Sequence, residues 1–281
     1  MKLIVAALQN SVYKGSYEKN LSLITLKTES LVLHHKPYLI AYSELMNVPT
    51  RPSNHNASYF DYAETMHGET VKRTLQLAVT LDIHIIGTLL ERCTENGEIT
   101  FYNTAFVCSP TQGIVGKYRK IRVDENTPSP RSNHKKIQLE HYTAGEEVSV
   151  FSLDNGIKIG ILISLDSTLS EAWCCLADQG AQVIVIPNAA FGKYEASHLE
   201  EIISRAVEHN VYVIVINKTG NEPVEDQVVS YFGHSCIITP SGKILKMVNN
   251  EEWAELVGTM DLSKPPLYKE ITNISTSKRK L

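Results

Sequence analysis

The 281-residue sequence lacks long apolar runs and has little excess of either charge. No stretch approaches the roughly 18 consecutive apolar residues that a membrane-spanning helix needs. The amino-terminal "MKLIVAALQNSVYKG" is broken by Gln9 and Asn10 and has no cleavage-site pattern, so we interpret it as a first strand. The formal net charge of -4 and the single basic run, Lys278 to Lys280, argue against binding to nucleic acid or to an anionic membrane.

Cysteine is scarce and metal-binding patterns are missing. The five cysteines, an odd number without CxxC pairs, favour a reducing cytosolic compartment over a disulfide framework. No group of His, Cys and Asp has the spacing of zinc ligands, and no Gly-rich loop opens a helix as phosphate-binding loops do. The sequence therefore predicts a cytoplasmic protein that works without a metal or a cofactor.

Strand-like runs rich in Val, Ile and aromatic residues are abundant, and several are apolar throughout, which is typical of strands covered on both faces. Apolar residues at three- and four-residue spacing predict helices between the strands. The alternation predicts an α/β fold with helices layered outside sheets, which we expect to form one domain over residues 1–281. The predicted helices span residues 17–34, 69–81, 169–179 and 195–209.

The least regular region runs from Arg122 to Ser149 and contains two prolines and mixed charge. Strand patterns resume on both sides of it, so we interpret it as a long functional loop or lid rather than a linker. Together with the region from Asn47 to Tyr59, it is expected to supply walls of a pocket.

Three apolar runs end in an ionisable or nucleophilic side chain: Glu44 in "IAYSELMN", Lys120 in "GIVGKYRKIRV" and Ser164 in "ILISLD". A carboxylate, an amine and a hydroxyl can serve as base, electrostatic stabiliser and nucleophile if the strands lie side by side. Taken singly, each also has a structural explanation. Glu44 can end a strand, Lys120 can belong to a solvated basic face, and Ser164 can be a turn residue.

Seven segments resemble, in order and spacing, the signature blocks of the nitrilase superfamily of carbon-nitrogen hydrolases. The resemblance implies a four-layer α-β-β-α sandwich that pairs into homodimers or larger homo-oligomers. It also implies amidase or carbamoylase activity on a small amide or N-carbamoyl compound, without metal or cofactor. Amides are favoured over nitriles because most branches of the family cleave amides, which is an argument by analogy. The segments are "AALQ", "YSEL", "YNTAFVCSPTQGIVGKYRKIRV", "HYTAGEEVSVFSLDNGIKIGILISLDSTLSEAW", "LADQGAQVIVIPNA", "SRAVEHNVYVIVINKTG" and "FGHSCIITPSGKIL".

The resemblance assigns a role to each candidate residue. Glu44 would be the base that takes and returns a proton, and the ammonium of Lys120 would stabilise the oxyanion. Ser164 occupies the position of the family's cysteine nucleophile, just before a short x-Asp. A second glutamate that orients the lysine and the attacking group would be Glu140 in "LEHYTAGEE", with Glu146 or Glu147 as alternatives.

Ser164 is the one member of the triad that departs from the family. A thiol with a pKa of about 8.5 ionises far more readily than an alkanol, so we expect Ser164 to be slow or inert as a nucleophile. Either a cysteine has been exchanged for serine, which is a common way to trap a substrate complex, or the serine is natural. A natural serine would make the protein a non-catalytic ligand-binding or scaffolding member, or an enzyme with altered chemistry. An unrelated serine hydrolase would carry Gly-x-Ser-x-Gly, which is absent here.

Cys174 and Cys175 follow ten and eleven residues after Ser164, inside a predicted helix. We predict that they are buried packing residues rather than substitute nucleophiles. Three histidines could suggest acid-base catalysis. Because these histidines and the other three cysteines lie near regular elements, we expect all six to occupy ordinary core or surface positions. These residues are Cys93, Cys108, Cys236, His84, His209 and His234.

Overall fold

The computed structural model describes residues 1–11, 17–50, 57–95, 97–123, 142–192, 195–224 and 227–263. Glu140 and most of the loop predicted between Arg122 and Ser149 lie outside the described residues. Four α-helices are described: α1 (Tyr17–His35), α2 (Glu69–Leu81), α3 (Ser170–Asp178) and α4 (Glu195–His209). All four predicted helices are confirmed to within one residue at each end.

Fourteen strands are described, together with two 3-10 helices at Ala57–Tyr62 and Ser164–Thr168. The strands are β1 (Lys2–Asn10), β2 (Leu39–Tyr42), β3 (His84–Glu95), β4 (Glu98–Ser109), β5 (Gly113–Arg119), β6 (Val150–Ser152), β7 (Lys158–Ile161), β8 (Val183–Pro187), β9 (Tyr212–Ile216), β10 (Thr219–Val224), β11 (Gln227–Phe232), β12 (Cys236–Ile238), β13 (Ile244–Met247) and β14 (Trp253–Asp261).

Two six-stranded sheets and one hairpin contain all of these strands. The first sheet has the order β14-β1-β2-β3-β4-β5, and the second has the order β13-β12-β9-β8-β7-β6. In each sheet three central strands are parallel, β1-β2-β3 and β7-β8-β9, with antiparallel strands outside them. The ends of parallel strands meet at one edge of a sheet, which is where α/β proteins usually place functional side chains.

The apolar side chains form three layers of core. One cluster joins the two sheets, with Val5, Ile161 and Val185 among its fully buried members. A second lies between the first sheet and α1 and α2, and a third lies between the second sheet and α3 and α4. Because both faces of each sheet are covered, the central strands β2, β8 and β9 carry no charged or amide side chain. The arrangement is the predicted four-layer α-β-β-α sandwich.

A buried carboxylate holds the end of β5, the strand that leads to Lys120. Glu91 on β3 is 2% exposed and accepts hydrogen bonds from Lys117, from Arg119 at 2.9 Å through two nitrogens, and from Thr104 at 2.7 Å. Burial raises the pKa of the Glu91 carboxyl, but these hydrogen bonds lower it more, so the net pKa lies below its ordinary value of 4.5. The β5 strand is therefore fixed by charge-assisted bonds as well as by its sheet partner.

We expect Glu91→Gln to lower the free energy of unfolding at pH 7 by about 2 kcal/mol, since hydrogen bonds to a charged acceptor are lost. A carboxyl with a depressed pKa in the folded state stabilises the protein above its unfolded pKa and loses that effect as the pH falls through the folded pKa. The deficit should therefore shrink below pH 4.5. Urea unfolding at pH 7 and pH 4 measures it, with the exposed Glu98→Gln as the control. An equal deficit at both pH values would contradict the electrostatic explanation.

Candidate active site

Glu44 lies two residues beyond β2, in an irregular but buried segment. Ser43 to Val48 are each 2% exposed or less. Leu45 has a left-handed backbone with φ of 46°, which costs a residue with a side chain of this size of the order of 1 kcal/mol or more. The side chain of Glu44 is therefore presented by strained backbone that the surrounding fold holds in place.

The carboxylate of Glu44 is paired with the ammonium of Lys120. Lys120 Nζ donates to Glu44 Oε1 at 2.6 Å, and Asn103 Nδ2 donates to the same oxygen at 2.7 Å. All three residues are buried. Within the described residues no donor reaches Oε2 of Glu44, so this oxygen remains available to take a proton.

Lys120 is fixed through its backbone by two neighbouring segments. Its amide donates to the carbonyl of Asn103 at 2.8 Å, and its carbonyl accepts from the amide of Gly145 at 2.8 Å. A Cβ at Gly145 would lie 2.2 Å from the carbonyl oxygen of Arg119, so this close approach requires glycine. The lysine is thus held both by β4 and by the "HYTAGEE" segment.

Ser164 begins the 3-10 helix Ser164–Thr168 and lies three residues beyond β7. Its backbone is left-handed, with φ of 50°, and the residue is half-buried. A non-glycine residue in this region is strained, and such strain is often found where a reactive side chain must be presented on a sharp turn. The carbonyl of Ser164 accepts a hydrogen bond from Ser167 Oγ at 2.7 Å, which stabilises the turn.

Asp166 connects the Ser164 turn with the residues that follow Lys120. Its fully buried carboxylate accepts from the amides of Ile121 at 3.2 Å and Arg122 at 2.7 Å, and from the hydroxyl of Tyr118 at 2.6 Å. Burial raises the pKa of Asp166, and the nearby charge of Lys120 opposes that rise. A single residue, Leu165, therefore separates Ser164 from a carboxylate that is bonded to the segment that follows Lys120.

A tyrosine pair lies near the glutamate. Tyr59 OH donates to the carbonyl of Pro49 at 2.9 Å, and the hydroxyls of Tyr59 and Tyr142 are 2.7 Å apart. Burial raises the pKa of Tyr142, and the negative charges of Glu44 and Glu222 raise it further. The tyrosines are therefore neutral hydroxyls beside the carboxylates, able to donate or accept hydrogen bonds.

The structure brings Glu44 and Lys120 into direct contact and ties the Ser164 turn to the same region. Glu140 lies outside the described residues. The alternatives, Glu146 and Glu147, are exposed, which does not suit a residue that orients a buried lysine.

Sequence analysis did not identify Asn103 or Asp166 as site residues. Both are buried polar residues that bond to the site, although they lie in or beside otherwise apolar segments. A buried polar group needs a partner, but other polar residues flank both positions, Thr104 after Asn103 and Ser164 and Ser167 around Asp166, so no local signal in the sequence marked them.

The prediction that Cys174 and Cys175 are buried was wrong, because both are exposed. Helix α3 buries Ala172, Trp173 and Leu176, and residues at this spacing turn the intervening cysteines outward. Neither cysteine bonds to the candidate site in the described part of the structure. Cys108 and Cys236 are buried as predicted, and Cys93 is half-buried.

The histidines lie away from the candidate site. His84 is buried beside Asp154, and His209 stacks on Trp173 with ring centroids 6.0 Å apart. One ring nitrogen of each has no hydrogen bond among the described residues, so their polar groups are less satisfied than expected. His234 is half-buried and follows the hairpin. None of the three has a described bond to Glu44 or Lys120.

The described ranges contain neither a metal-binding cluster nor a membrane-spanning helix. No group of three or more His, Cys, Asp or Glu side chains there is arranged to hold a metal ion. No helix in those ranges is long and apolar enough to cross a membrane.

Known proteins resemble this chain in fold and in sequence. *Saccharomyces cerevisiae* Nit3, of the nitrilase superfamily, superimposes with a TM-score of 0.82 and 21% identity, covering 99% of this chain and 97% of its own. A carbon-nitrogen hydrolase from *Helicobacter pylori* G27 gives the same TM-score at 20% identity, over 93% and 90% of the two chains.

Sequence relatives include the human omega-amidase NIT2, which is 29% identical over 80% of this chain and 77% of its own. An (R)-stereoselective amidase from a *Pseudomonas* species is 28% identical over 69% of this chain, which spans 64% of that relative. The sequence pattern of carbon-nitrogen hydrolases matches residues 4–267, nearly the whole length. With a buried glutamate and lysine in contact and a sandwich shared with these proteins, the chain belongs to the carbon-nitrogen hydrolase family of the nitrilase superfamily.

Proposed function

We propose that Glu44, Lys120 and the residue at position 164 form the reaction centre of an amidase-type hydrolase. Its substrate would be a small amide or N-carbamoyl compound. The observation that carries the proposal is the buried ion pair between Lys120 Nζ and Glu44 Oε1 at 2.6 Å, together with the strained turn of Ser164, which Asp166 ties to the segment that follows Lys120. Amides are favoured because the human and *Pseudomonas* relatives are an omega-amidase and a stereoselective amidase.

The geometry suits acyl transfer through a covalent intermediate. The group at position 164 would attack the carbonyl carbon while Glu44 takes its proton, and Lys120 would stabilise the resulting oxyanion. Glu44 would then return the proton to the nitrogen as the C–N bond breaks and the amine leaves. Water would then attack the acyl-enzyme and give its proton to Glu44, which would return a proton to the side chain at position 164 as the acid is released.

A serine at position 164 keeps this geometry but supplies a poor nucleophile. An alkanol is a much weaker acid than a thiol, and none of the histidines described here bonds to Ser164 as in a serine triad. We therefore propose that the chain with Ser164 binds amides but turns them over slowly or not at all. An exchanged serine and a natural serine in a non-catalytic ligand-binding member both lead to this expectation, whereas a scaffolding member or an enzyme with altered chemistry does not.

We expect Ser164→Cys to raise ammonia release from at least one amide in a broad panel by about tenfold or more, because a thiolate is the better nucleophile. A coupled ammonia assay measures the gain, and Ser164→Ala is the matched control that should stay silent. No gain from the cysteine across the whole panel would count against hydrolysis. Calorimetric binding of an amide without turnover by either form would instead favour a non-catalytic ligand-binding member.

A further inference from the structure

The segment around Glu44, from Ser43 to Val48, has no regular structure, yet it is buried. Buried backbone polar groups need partners, and here side chains from distant parts of the chain provide them. The hydroxyl of Thr88 donates to the carbonyl of Ser43 at 2.6 Å. The side-chain amides of Asn10 and Asn20 donate to the carbonyls of Met46 at 3.0 Å and Asn47 at 2.9 Å. The position of Glu44 therefore depends on how firmly this segment is held.

Lys218 holds the segment from the opposite sheet. Its amide donates to the carbonyl of Asn188 at 3.1 Å, and the amide of Glu44 donates to the same carbonyl at 3.4 Å. Its ammonium reaches the carbonyl of Val48 at 2.8 Å and Thr50 Oγ1 at 2.7 Å. Lys218 and Glu44 thus share a backbone acceptor. Lys218 also binds Val48 and Thr50, which lie four and six residues beyond Glu44.

The carboxylate of Glu222 on β10 binds the same segment. Its Oε1 accepts from the amide of Thr50 at 2.9 Å, and its Oε2 accepts from the hydroxyl of Tyr231 on β11. Thr50 is therefore bonded by the ammonium of Lys218 through its hydroxyl and by the carboxylate of Glu222 through its amide. The hairpin β10–β11 takes part in the site through this contact.

Lys218 is 1% exposed, and a buried ammonium is costly unless nearby groups compensate its charge. Burial lowers the pKa of Lys218, and the charges of Glu222 and Glu44 raise it. The net pKa is about 8. The other titratable groups of this region are Lys120 and the three tyrosine hydroxyls of Tyr59, Tyr142 and Tyr231. Such a buried charge is weak evidence for stability, because an apolar residue of similar size often does as well. A role in the geometry of the site accounts better for this lysine.

We propose that Lys218 is a positioning residue for Glu44. It locks the segment from Val48 to Thr50 and supplies a positive charge beside the two carboxylates of Glu44 and Glu222. This inference rests on the proposed role of Glu44 as the base. The two are tested separately, because a thiol placed at position 164 reports the local charge even in a protein that turns nothing over.

The first test combines Lys218→Met with Ser164→Cys. We expect kcat to fall about a hundredfold with little change in KM, because misplacement of a catalytic group by a fraction of an ångström can have such an effect. Lys218→Arg, which keeps the charge and the donors, should recover most of the rate. Lys243→Met is the control, because Lys243 is exposed and only its backbone is hydrogen-bonded. A rate unchanged by Lys218→Met would overturn the proposal.

The second test needs no turnover. In the Ser164→Cys protein, the rate of iodoacetamide alkylation at position 164 is followed against pH by fragment-ion mass spectrometry, which separates it from the exposed Cys174 and Cys175. If Lys218 fixes the position of Glu44, and with it the Glu44–Lys120 pair, Lys218→Met should change the charges that act on the thiol and move the midpoint by about one pH unit. Lys218→Arg and Lys243→Met should not move it.

These outcomes distinguish the inference from the proposed function. A shifted midpoint in a protein without amidase activity supports the role of Lys218 and contradicts hydrolysis. An unshifted midpoint in an active protein contradicts the role of Lys218 alone. If Lys218→Met does not fold, Thr50→Val removes only the hydroxyl that Lys218 binds. It should lower kcat about tenfold, and a normal kcat in that variant would overturn the proposal.

Discussion

Glu44→Gln, made together with Ser164→Cys, is expected to lower kcat about a thousandfold, the middle of the range for loss of a general base. Glutamine has the shape of glutamate but cannot take a proton from a nucleophile or from water. Its carbonyl oxygen can still accept from Lys120 and Asn103, the donors that bind Glu44 Oε1 at 2.6 and 2.7 Å. The substitution should therefore remove the proton transfer and leave the architecture in place.

Steady-state kinetics measure the loss, and thermal unfolding checks that the fold persists. Glu251→Gln removes the same charge from an exposed position and serves as the matched control. A fall in KM together with kcat would indicate relief of strain in the bound substrate rather than loss of a base. A kcat within about threefold of the Ser164→Cys protein would show that another group carries the proton.

The sequence identified the candidate site where a local pattern marks it. Glu44, Lys120 and Ser164 each follow an apolar run, and the structure places each of them within three residues of a strand end. The contact between Glu44 and Lys120 could be expected because both follow strands of the first sheet, and strand ends in an α/β sheet lie along one edge. The resemblance to a known family then assigned the roles, which remain proposals here.

Residues that reach the site from far along the chain left no such pattern. Lys218 binds Val48 across 170 positions, and Asp166 binds Arg122 across 44. Such contacts depend on how two sheets face each other, which local periodicity does not encode. The pairing of β1 with β14 has the same origin, because it joins Lys2 to Asp261 near opposite ends of the described chain.

The two left-handed residues near the site were equally hidden. Leu45 and Ser164 carry side chains that ordinarily avoid positive φ, and no glycine or asparagine marks either turn. Local propensity would predict a strand or helix continuing through both positions. Tertiary contacts outweigh this local propensity. The amide of Met46, next to Leu45, donates to Thr88 Oγ1 at 3.0 Å. Asp166 holds the turn of Ser164 through its hydrogen bond with the amide of Arg122. Departures from local preference at such positions are typical of functional sites.

Lys120→Ala in the Ser164→Cys protein is expected to lower kcat by a few hundredfold, since an oxyanion donor contributes about 3 to 4 kcal/mol to the transition state. The same change leaves Glu44 as a buried carboxylate without its cation, which should also destabilise the fold by about 3 kcal/mol. Stability and catalysis must therefore be separated.

The double variant Lys120→Met with Glu44→Gln separates them, because it removes both charges and fills the space of the lysine stem. We expect it to recover most of the lost free energy of unfolding, measured in urea, and none of the lost kcat. Lys243→Ala is the control for the loss of a lysine, since Lys243 is exposed. Near-normal turnover by Lys120→Ala would show that this lysine takes no part in the reaction. Recovery of kcat in the double variant would show that the Glu44–Lys120 pair serves folding alone. If Lys120 acts only in the transition state, its loss should lower kcat and kcat/KM equally, because substrate binding does not depend on it.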